Sequence, residues 1–399
     1  MPFVQDSRLG SREAILILAF GKLSLLEFCS LLSTRLVKTE LLCDRAALAT
    51  IERPLDETVA KLGGIHKYAS PMTLVKDTQD GQIRRFLDRI LEHQNEIHNL
   101  SVSEYCEGSG GTFSYEDLVH AILDSMRDLG FKKIRLLRPE GNELVGEQVV
   151  LRDSLDLVAV HTSKGDYLGV TSYVPDVESY RERGTRKPIR TPSISMSPRL
   201  AKTLINLSGL SPRQALLDPF CGSGTILAEA LLQSLNCVGV DRNPDRVRQA
   251  ERNLKWVKEN TTSKKLGTYQ VLYGDSRDLS RYLGGMKFDA IVSEPVLLPT
   301  LTARPSTKSA REMVKKASKV YSDALYAMSQ VVKSGGRIVL VVPTLQTTSD
   351  AEVSMRIEDV DSVGLREYHP PRVRFEYPVR LSFESTRWVR RAVYVFVRN

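Results

Sequence analysis

The chain has 399 residues, 42% hydrophobic and 26% charged, with 56 Lys and Arg against 48 Asp and Glu for a formal net charge of +8. That length exceeds one ordinary domain, and the composition excludes collagen-like and low-complexity chains. No apolar run is long enough to span a bilayer, and Met1 to Arg12 lacks the charged-then-apolar pattern of a secretion signal, so a soluble, cytoplasmic protein is expected.

Glu13 to Phe20 reads as a buried strand. Ser24, with Glu27 three residues on, makes a capping-box pattern that predicts a helix start. Arg45 to Ile51 is a second strand. Pro54 then opens a helix with Leu55, Val59 and Leu62 on one face and Gly63-Gly64 as its stop. This β-α-β-α rhythm predicts a small ferredoxin-like domain over 1–75. Gln82 to Asn95 follows as an amphipathic helix, Ser101 to Cys106 as a strand, and Gly108-Ser109-Gly110-Gly111 as a loop. Tyr115 to Leu129 is a helix with Leu118, Ile122, Met126 and Leu129 in one stripe. Lys133–Leu137, Leu155–Thr162 and Tyr167–Tyr173 are further strands, giving a mixed α+β domain over 76–175. Residues 176–197, basic and twice broken by proline, read as a linker. From Pro198 helices and strands alternate regularly, which predicts a parallel doubly wound sheet over 198–399.

Cys29, Cys43, Cys106, Cys221 and Cys237 are scattered and form no CxxC pair. An odd, dispersed set argues against a disulfide framework and a structural zinc site, and the histidines are equally dispersed, so no metal is expected. Positive charge gathers in two places: Arg181, Arg183, Arg186, Lys187, Arg190, Arg199 and Lys202, then Arg372, Arg374, Arg380, Arg387, Arg390, Arg391 and Arg398. The second cluster is interleaved with Phe375, Tyr377, Phe383 and Trp388. Both suit a polyanionic partner. The blander alternative is a solvated linker and an exposed strand face.

The most specific signal is the strand Ala215-Leu216-Leu217 ending at Asp218 and followed by Pro219-Phe220-Cys221-Gly222-Ser223-Gly224-Thr225, with Ile226, Leu227, Ala230 and Leu231 on one face of the next helix. Glycines at this turn let the backbone approach a ligand at a helix N-terminus. Cys237 to Val240 is the next strand and ends in Asp241, about twenty residues past the turn, where a ribose-binding carboxylate belongs. Val271-Leu272-Tyr273 then leads into Gly274-Asp275-Ser276. Three successive strands closing on acids favour S-adenosylmethionine over NAD, whose GxGxxG turn is absent. The competing possibility is that these acids only cap helices.

Asp218 to Ile226 resembles the turn of methyltransferases that modify exocyclic nitrogens of bases. The flank Ser195-Met196-Ser197-Pro198-Arg199-Leu200-Ala201 through Ile205-Asn206-Leu207 narrows the resemblance to the THUMP-domain tRNA guanosine-N2 methyltransferases, which include the archaeal and eukaryotic position-10 enzymes. Leu23-Ser24-Leu25-Leu26-Glu27 and Leu129-Gly130-Phe131-Lys132-Lys133 extend it upstream. The resemblance implies an α/β protein with ferredoxin-like and THUMP-like α+β domains before a Rossmann-like methyltransferase domain. It implies S-adenosylmethionine as cofactor and tRNA as partner, its backbone held by the basic segment from Arg181 to Lys202, with a small activating protein subunit left open. Asp218, Cys221, Gly222 and Gly224 would line the methionine moiety with Ser223 and Thr225 in the same turn. Asp241 would hold the ribose, and Asp275 with Ser276 the adenine. Met196 and Pro198 would close the pocket.

The departure is at the acceptor motif. The family places an Asp or Asn, two prolines and an aromatic after the fourth strand; here Phe288 to Val292 is followed by Ser293-Glu294-Pro295-Val296. Glu294, with Ser293 as the other candidate and Pro295 beside them, would accept a hydrogen bond from the target amine. Val296 offers no aromatic face, a contact worth roughly 1–3 kcal/mol per base, and Tyr321, Phe375 or Tyr377 are candidates to supply a ring. The expected activity is methyl transfer to N2 of a guanosine in tRNA. The alternatives are a catalytically silent RNA-binding protein that retains the fold, and a DNA amino-methyltransferase.

Overall fold

The computed structural model describes residues 12–52, 57–79, 81–94, 96–106, 113–137, 154–190, 196–262, 265–295, 298, 301–371, 373–381 and 388–399. The expected N-terminal signal exclusion, the helix start at Pro54 and Leu55, the loop Gly108 to Gly111, and Ser195, Val296, Arg372, Phe383 and Arg387 lie wholly or largely outside these residues. The chain divides into two compact units, Met1–Gly21 with Thr34–Val177, and Lys22–Ser33 with Glu178–Asn399. Helix α1 (Lys22–Leu31) therefore belongs to the C-terminal unit although it lies early in sequence.

The N-terminal unit is built on one eight-stranded sheet. Its strands are β1 (Glu13–Leu18), β2 (Leu36–Cys43), β3 (Ala46–Ile51), β4 (Ile65–Val75), β5 (Asn99–Tyr105), β6 (Arg135–Leu136), β7 (Ser154–Val160) and β8 (Asp166–Tyr173). They run in the order β2-β3-β1-β4-β8-β7-β5-β6. The segments expected as two domains, 1–75 and 76–175, are joined in this sheet by the antiparallel pairing of β4 with β8. Helices α2 (Gln82–Leu91) and α3 (Tyr115–Asp128) bury Ile83, Phe86, Leu87, Leu118, Ile122 and Met126 in one core. Fully buried β7 carries Asp156, whose carboxylate meets Lys67 Nζ at 2.9 Å and the hydroxyls of Ser101 and Thr171. A buried charge survives only when paired and hydrogen-bonded in this way.

Cys43 and Cys106 form a disulfide with their Cα atoms 6.0 Å apart, while Cys29, Cys221 and Cys237 are buried free thiols. The expectation of five unpaired core cysteines is corrected for that pair. The two sulfurs are 63 residues apart and meet through the sheet, so no local spacing announces them.

The C-terminal unit has helices α4 (Val177–Thr185), α5 (Pro198–Leu207), α6 (Thr225–Leu232), α7 (Pro244–Asn260), α8 (Leu279–Tyr282) and α9 (Thr307–Val331). Its strands are β9 (Ala215–Asp218), β10 (Asn236–Asp241), β11 (Tyr269–Tyr273), β12 (Phe288–Ser293), β13 (Val332–Gln346), β14 (Glu352–Ser354), β15 (Leu365–Glu367), β16 (Val379–Arg380) and β17 (Val389–Arg398). The main path is β11-β10-β9-β12-β13-β17-β15. The first five strands are parallel, as expected; β17 then runs antiparallel between β13 and β15, so the sheet is mixed. Strand order reverses between β9 and β12, the switch point where α/β sheets bind ligands.

Two local expectations are corrected. Ser24 and Glu27 do not cap a helix: α1 begins at Lys22, and both side chains are buried within it. Glu27 instead accepts a 2.6 Å hydrogen bond from Asn206 on α5. The expected linker carries α4, whose Arg181 and Arg186 pair with Glu178 and Glu182 at helical spacing.

Candidate active site

The acids expected at strand ends stand together at the carboxyl edge of the parallel sheet. Asp218 closes β9 and is buried; its Oδ1 accepts from the Phe220 N–H at 3.1 Å and from the Ser293 hydroxyl at 2.7 Å. Burial pushes its carboxyl up to about 7, with the negative charges of Asp241 and Glu294 acting in the same direction and the two hydrogen bonds opposing. Asp241 ends β10. Its Oδ2 accepts from the Gly222 N–H at 3.0 Å and its Oδ1 from the Asn243 N–H at 2.9 Å. It thus braces the glycine turn, while Asn243 is the residue that caps α7.

The turn needs its glycines for different reasons. Gly222 has φ of 52° and Gly224 has φ of 83°, both in the left-handed region. A Cβ on Gly224 would also press on Ala250 at 3.2 Å, whereas a Cβ on Gly222 would meet open space. Cys221 is buried, and burial first, then Asp218 and Asp241, hold its thiol well above the ordinary range, so it stays protonated and packs.

The far side of the turn is closed. Asn253 Nδ2 donates to the Ser223 carbonyl at 2.9 Å and to the Ile189 carbonyl at 3.1 Å. Lys187 Nζ donates to Thr225 Oγ1 at 3.1 Å, and Arg183 pairs with buried Glu229. The gap left among Pro198, Ser223, Gly224 and Thr225 is about 10 Å³, room for one water at most. Met196 is buried just before Ser197, which caps α5. The polar groups open to a ligand are therefore on the Gly222 and Asp241 side.

Asp275 and Ser276 follow β11. Ser276 is buried, and Asp275 holds Arg277 at 2.6 Å, a hydrogen bond that keeps its carboxyl below the usual range. At the end of β12 the two acceptor candidates separate. Ser293 is buried and its hydroxyl is given to Asp218. Glu294 is partly exposed and pairs with Arg391 of β17. Tyr321 of α9 reaches the Pro295 carbonyl at 2.9 Å and the Val341 carbonyl at 3.1 Å, with its ring buried. It fixes the acceptor turn rather than offering a stacking face. Tyr377 stacks on Tyr394 with centroids 6.1 Å apart, and its hydroxyl donates to the Tyr368 carbonyl.

Sequence reasoning missed Arg391, Asn253, Lys187 and the anchoring role of Tyr321; each acts across the fold, where spacing carries no signal. It also assigned the basic segment to RNA. In the structure Arg181, Arg183 and Arg186 face carboxylates, while Arg183, Arg199 and Lys202 gather over the Tyr180 ring at 5.0–5.9 Å. That segment is largely spent on holding α4 to its own domain.

Residues 185–366 match the UPF0020 family, the RMKL-like methyltransferase domain. The match lies within the C-terminal unit. The chain is 32% identical over 177 residues to the tRNA (guanine(10)-N2)-dimethyltransferase of Methanothermobacter thermautotrophicus, covering 44% of this chain and 47% of that protein. It is 28% identical over 202 residues to the enzyme of the same name from Pyrococcus abyssi, covering 50% and 54%. The chain thus spans about half the length of the curated relatives it matches. TrmN from Thermus thermophilus shares the fold over 97% of this chain and 99% of that one, with a TM-score of 0.54 and 17% identity. Among the described residues there is no helix long and apolar enough to cross a membrane and no metal-holding group of His, Cys, Asp or Glu.

Proposed function

We propose that the chain is an S-adenosylmethionine-dependent tRNA methyltransferase acting on the exocyclic N2 of a guanosine. The observation that carries this reading is the convergence of Asp218, Asp241 and Glu294 at the switch point beside an open glycine turn. Three carboxylates crowding a partly desolvated edge suit a ligand that brings positive charge, and S-adenosylmethionine carries both an ammonium and a sulfonium. The activity that the curated relatives are named for supports the choice of acceptor.

Asp218 would face the ammonium, Asp241 the ribose hydroxyls, and Asp275 with Ser276 the adenine edge. When bound, the cofactor supplies an electrophilic methyl group on sulfur. Glu294 accepts a hydrogen bond from the target amine, orients its lone pair, and takes the proton released as the N–C bond forms and the S–C bond breaks. Ser293 anchors Asp218, and Tyr321 holds the Pro295 turn so that Glu294 keeps its aim. Most of the acceleration comes from this positioning. The base must leave its stack to reach the site. The N-terminal unit, in the ferredoxin-like and THUMP-like reading, contributes to the grip on tRNA.

The test is the full chain with methyl-labelled S-adenosylmethionine and unmodified tRNA. Label should enter the tRNA. Cofactor binding with no transfer would leave a silent RNA-binding protein, and transfer to DNA alone would give the DNA enzyme.

A further inference from the structure

In the basic segment expected to hold RNA, Arg181, Arg183 and Arg186 are paired with carboxylates, and the domain has another concentration of cations. Helix α9 leaves the acceptor loop at Thr307, and between Thr307 and Ser322 it carries Lys308, Arg311, Lys315, Lys316 and Lys319 against one acid, Glu312. All five cations are exposed. At 100° per residue they fall on one arc, opposite the buried stripe of Ala310, Val314, Ala317, Tyr321 and Leu325. None of the five forms an ion pair among the described residues, in contrast to Arg304, just before the helix, which pairs with Asp350. Like charges at this spacing repel along a helix, so the stripe lowers the helix's own stability. Asp323 ends it.

We infer that this face of α9 is a docking surface for the sugar-phosphate backbone of the RNA substrate. From Lys308 to Lys319 the stripe runs about 16 Å along the helix axis, a length over which a nucleic-acid strand presents several phosphates. Its place is tied to the acceptor turn, because Tyr321 on the same helix holds the Pro295 carbonyl at 2.9 Å. Backbone held on α9 is therefore held on a helix anchored to the acceptor turn, one helix diameter, ~10 Å, from it. A membrane surface fits less well: interfacial helices insert an apolar face, and the apolar face of α9 is buried in the domain core. The inference rests on the RNA-methylation reading and adds where the substrate is gripped.

The test is binding of an unmodified tRNA transcript to the full chain and to the variant Lys308→Gln, Arg311→Gln, Lys315→Gln, Lys319→Gln, across a salt series. Four lost phosphate contacts should weaken binding about tenfold or more near 100 mM salt and lower the slope of log Kd against log salt by roughly 3. Unfolding temperature should not fall, and S-adenosylmethionine affinity should not change. Arg181→Gln with Arg186→Gln, which removes exposed but paired cations, should move tRNA affinity less than about twofold. An unchanged slope in the α9 variant overturns the inference, as does a variant that loses only binding to anionic lipid vesicles. A chain that binds tRNA through α9 but transfers no methyl keeps the docking surface and removes the methylation reading. Transfer that persists with an unchanged KM for tRNA in the α9 variant does the reverse.

Discussion

The Ser293 hydroxyl donates a 2.7 Å hydrogen bond to the buried carboxylate of Asp218 and so joins the ends of β12 and β9, where the strand order reverses. That bond stabilises the ionised carboxylate against the burial that pushes it up to about 7. A cationic ligand binds the ionised form. Cofactor affinity should therefore rise as pH increases through about 7 and level off above about pH 8. Ser293→Ala removes an interaction that lowers the Asp218 value, so the rise should move to higher pH, with a loss of about tenfold in affinity near neutrality that closes at alkaline pH. Calorimetry across pH reads this; a flat profile for the parent chain would contradict it.

The same group makes a stability prediction. Its folded value lies above its ordinary 3.8, so between 3.8 and about 7 the folded state keeps a proton that the unfolded chain releases. Its contribution to stability is thus fully present below that window and falls as pH rises through it, by up to about 1.4 kcal/mol per pH unit. Asp218→Asn should flatten this part of the pH dependence, measured by denaturant unfolding of the C-terminal unit.

Asp241 braces the Gly222 and Asn243 N–H groups, and in the proposed function it also holds the cofactor ribose. Asp241→Ala should reduce cofactor affinity about a hundredfold, the scale of two lost charge-assisted hydrogen bonds. Affinity for tRNA should be unchanged. Equal losses for both ligands would show that the variant perturbs the domain rather than the ribose site.

Glu294→Gln should lower kcat by about a hundredfold, a larger effect than on the KM for the cofactor. Arg391→Ala should lower kcat less, since the carboxylate remains but loses its brace, and Arg391→Lys should recover part of the loss. A kcat untouched by Glu294→Gln would remove it from the chemistry.

In the N-terminal unit, Lys67→Met strands the Asp156 carboxylate in the sheet interior and should cost about 3–5 kcal/mol. Replacing both residues, with Asp156→Leu added, should recover most of that. Thermal unfolding of the two variants decides whether the pair acts as a unit.

The parallel core of the C-terminal unit was legible because each strand there is an apolar run that stops at a polar residue: Leu217 before Asp218, Val240 before Asp241, Tyr273 before Gly274-Asp275. Period and punctuation are local properties. Glu27 was misread because a charged residue near a helix start looks like a cap, and its partner, Asn206, lies 179 residues away. The internal pairing of the basic segment was not legible because charge counts do not show where counter-ions fold: Arg183 finds Glu229, 46 residues on. For α9 the reverse held. Its five exposed cations form no ion pair among the described residues, which a charge count does not show either. Ser293 and Glu294 were identified as the acceptor pair, but only the folded strand ends show that one is tied to Asp218 and the other to Arg391.

The measurement that tests the central claim most directly is mass spectrometry of nucleosides from unmodified tRNA incubated with S-adenosylmethionine and the full chain, run beside Glu294→Gln. N2-methylated guanosine should appear with the parent chain and be nearly absent with the variant. Cofactor bound with no methylated guanosine, or methyl found on another base, would contradict the account.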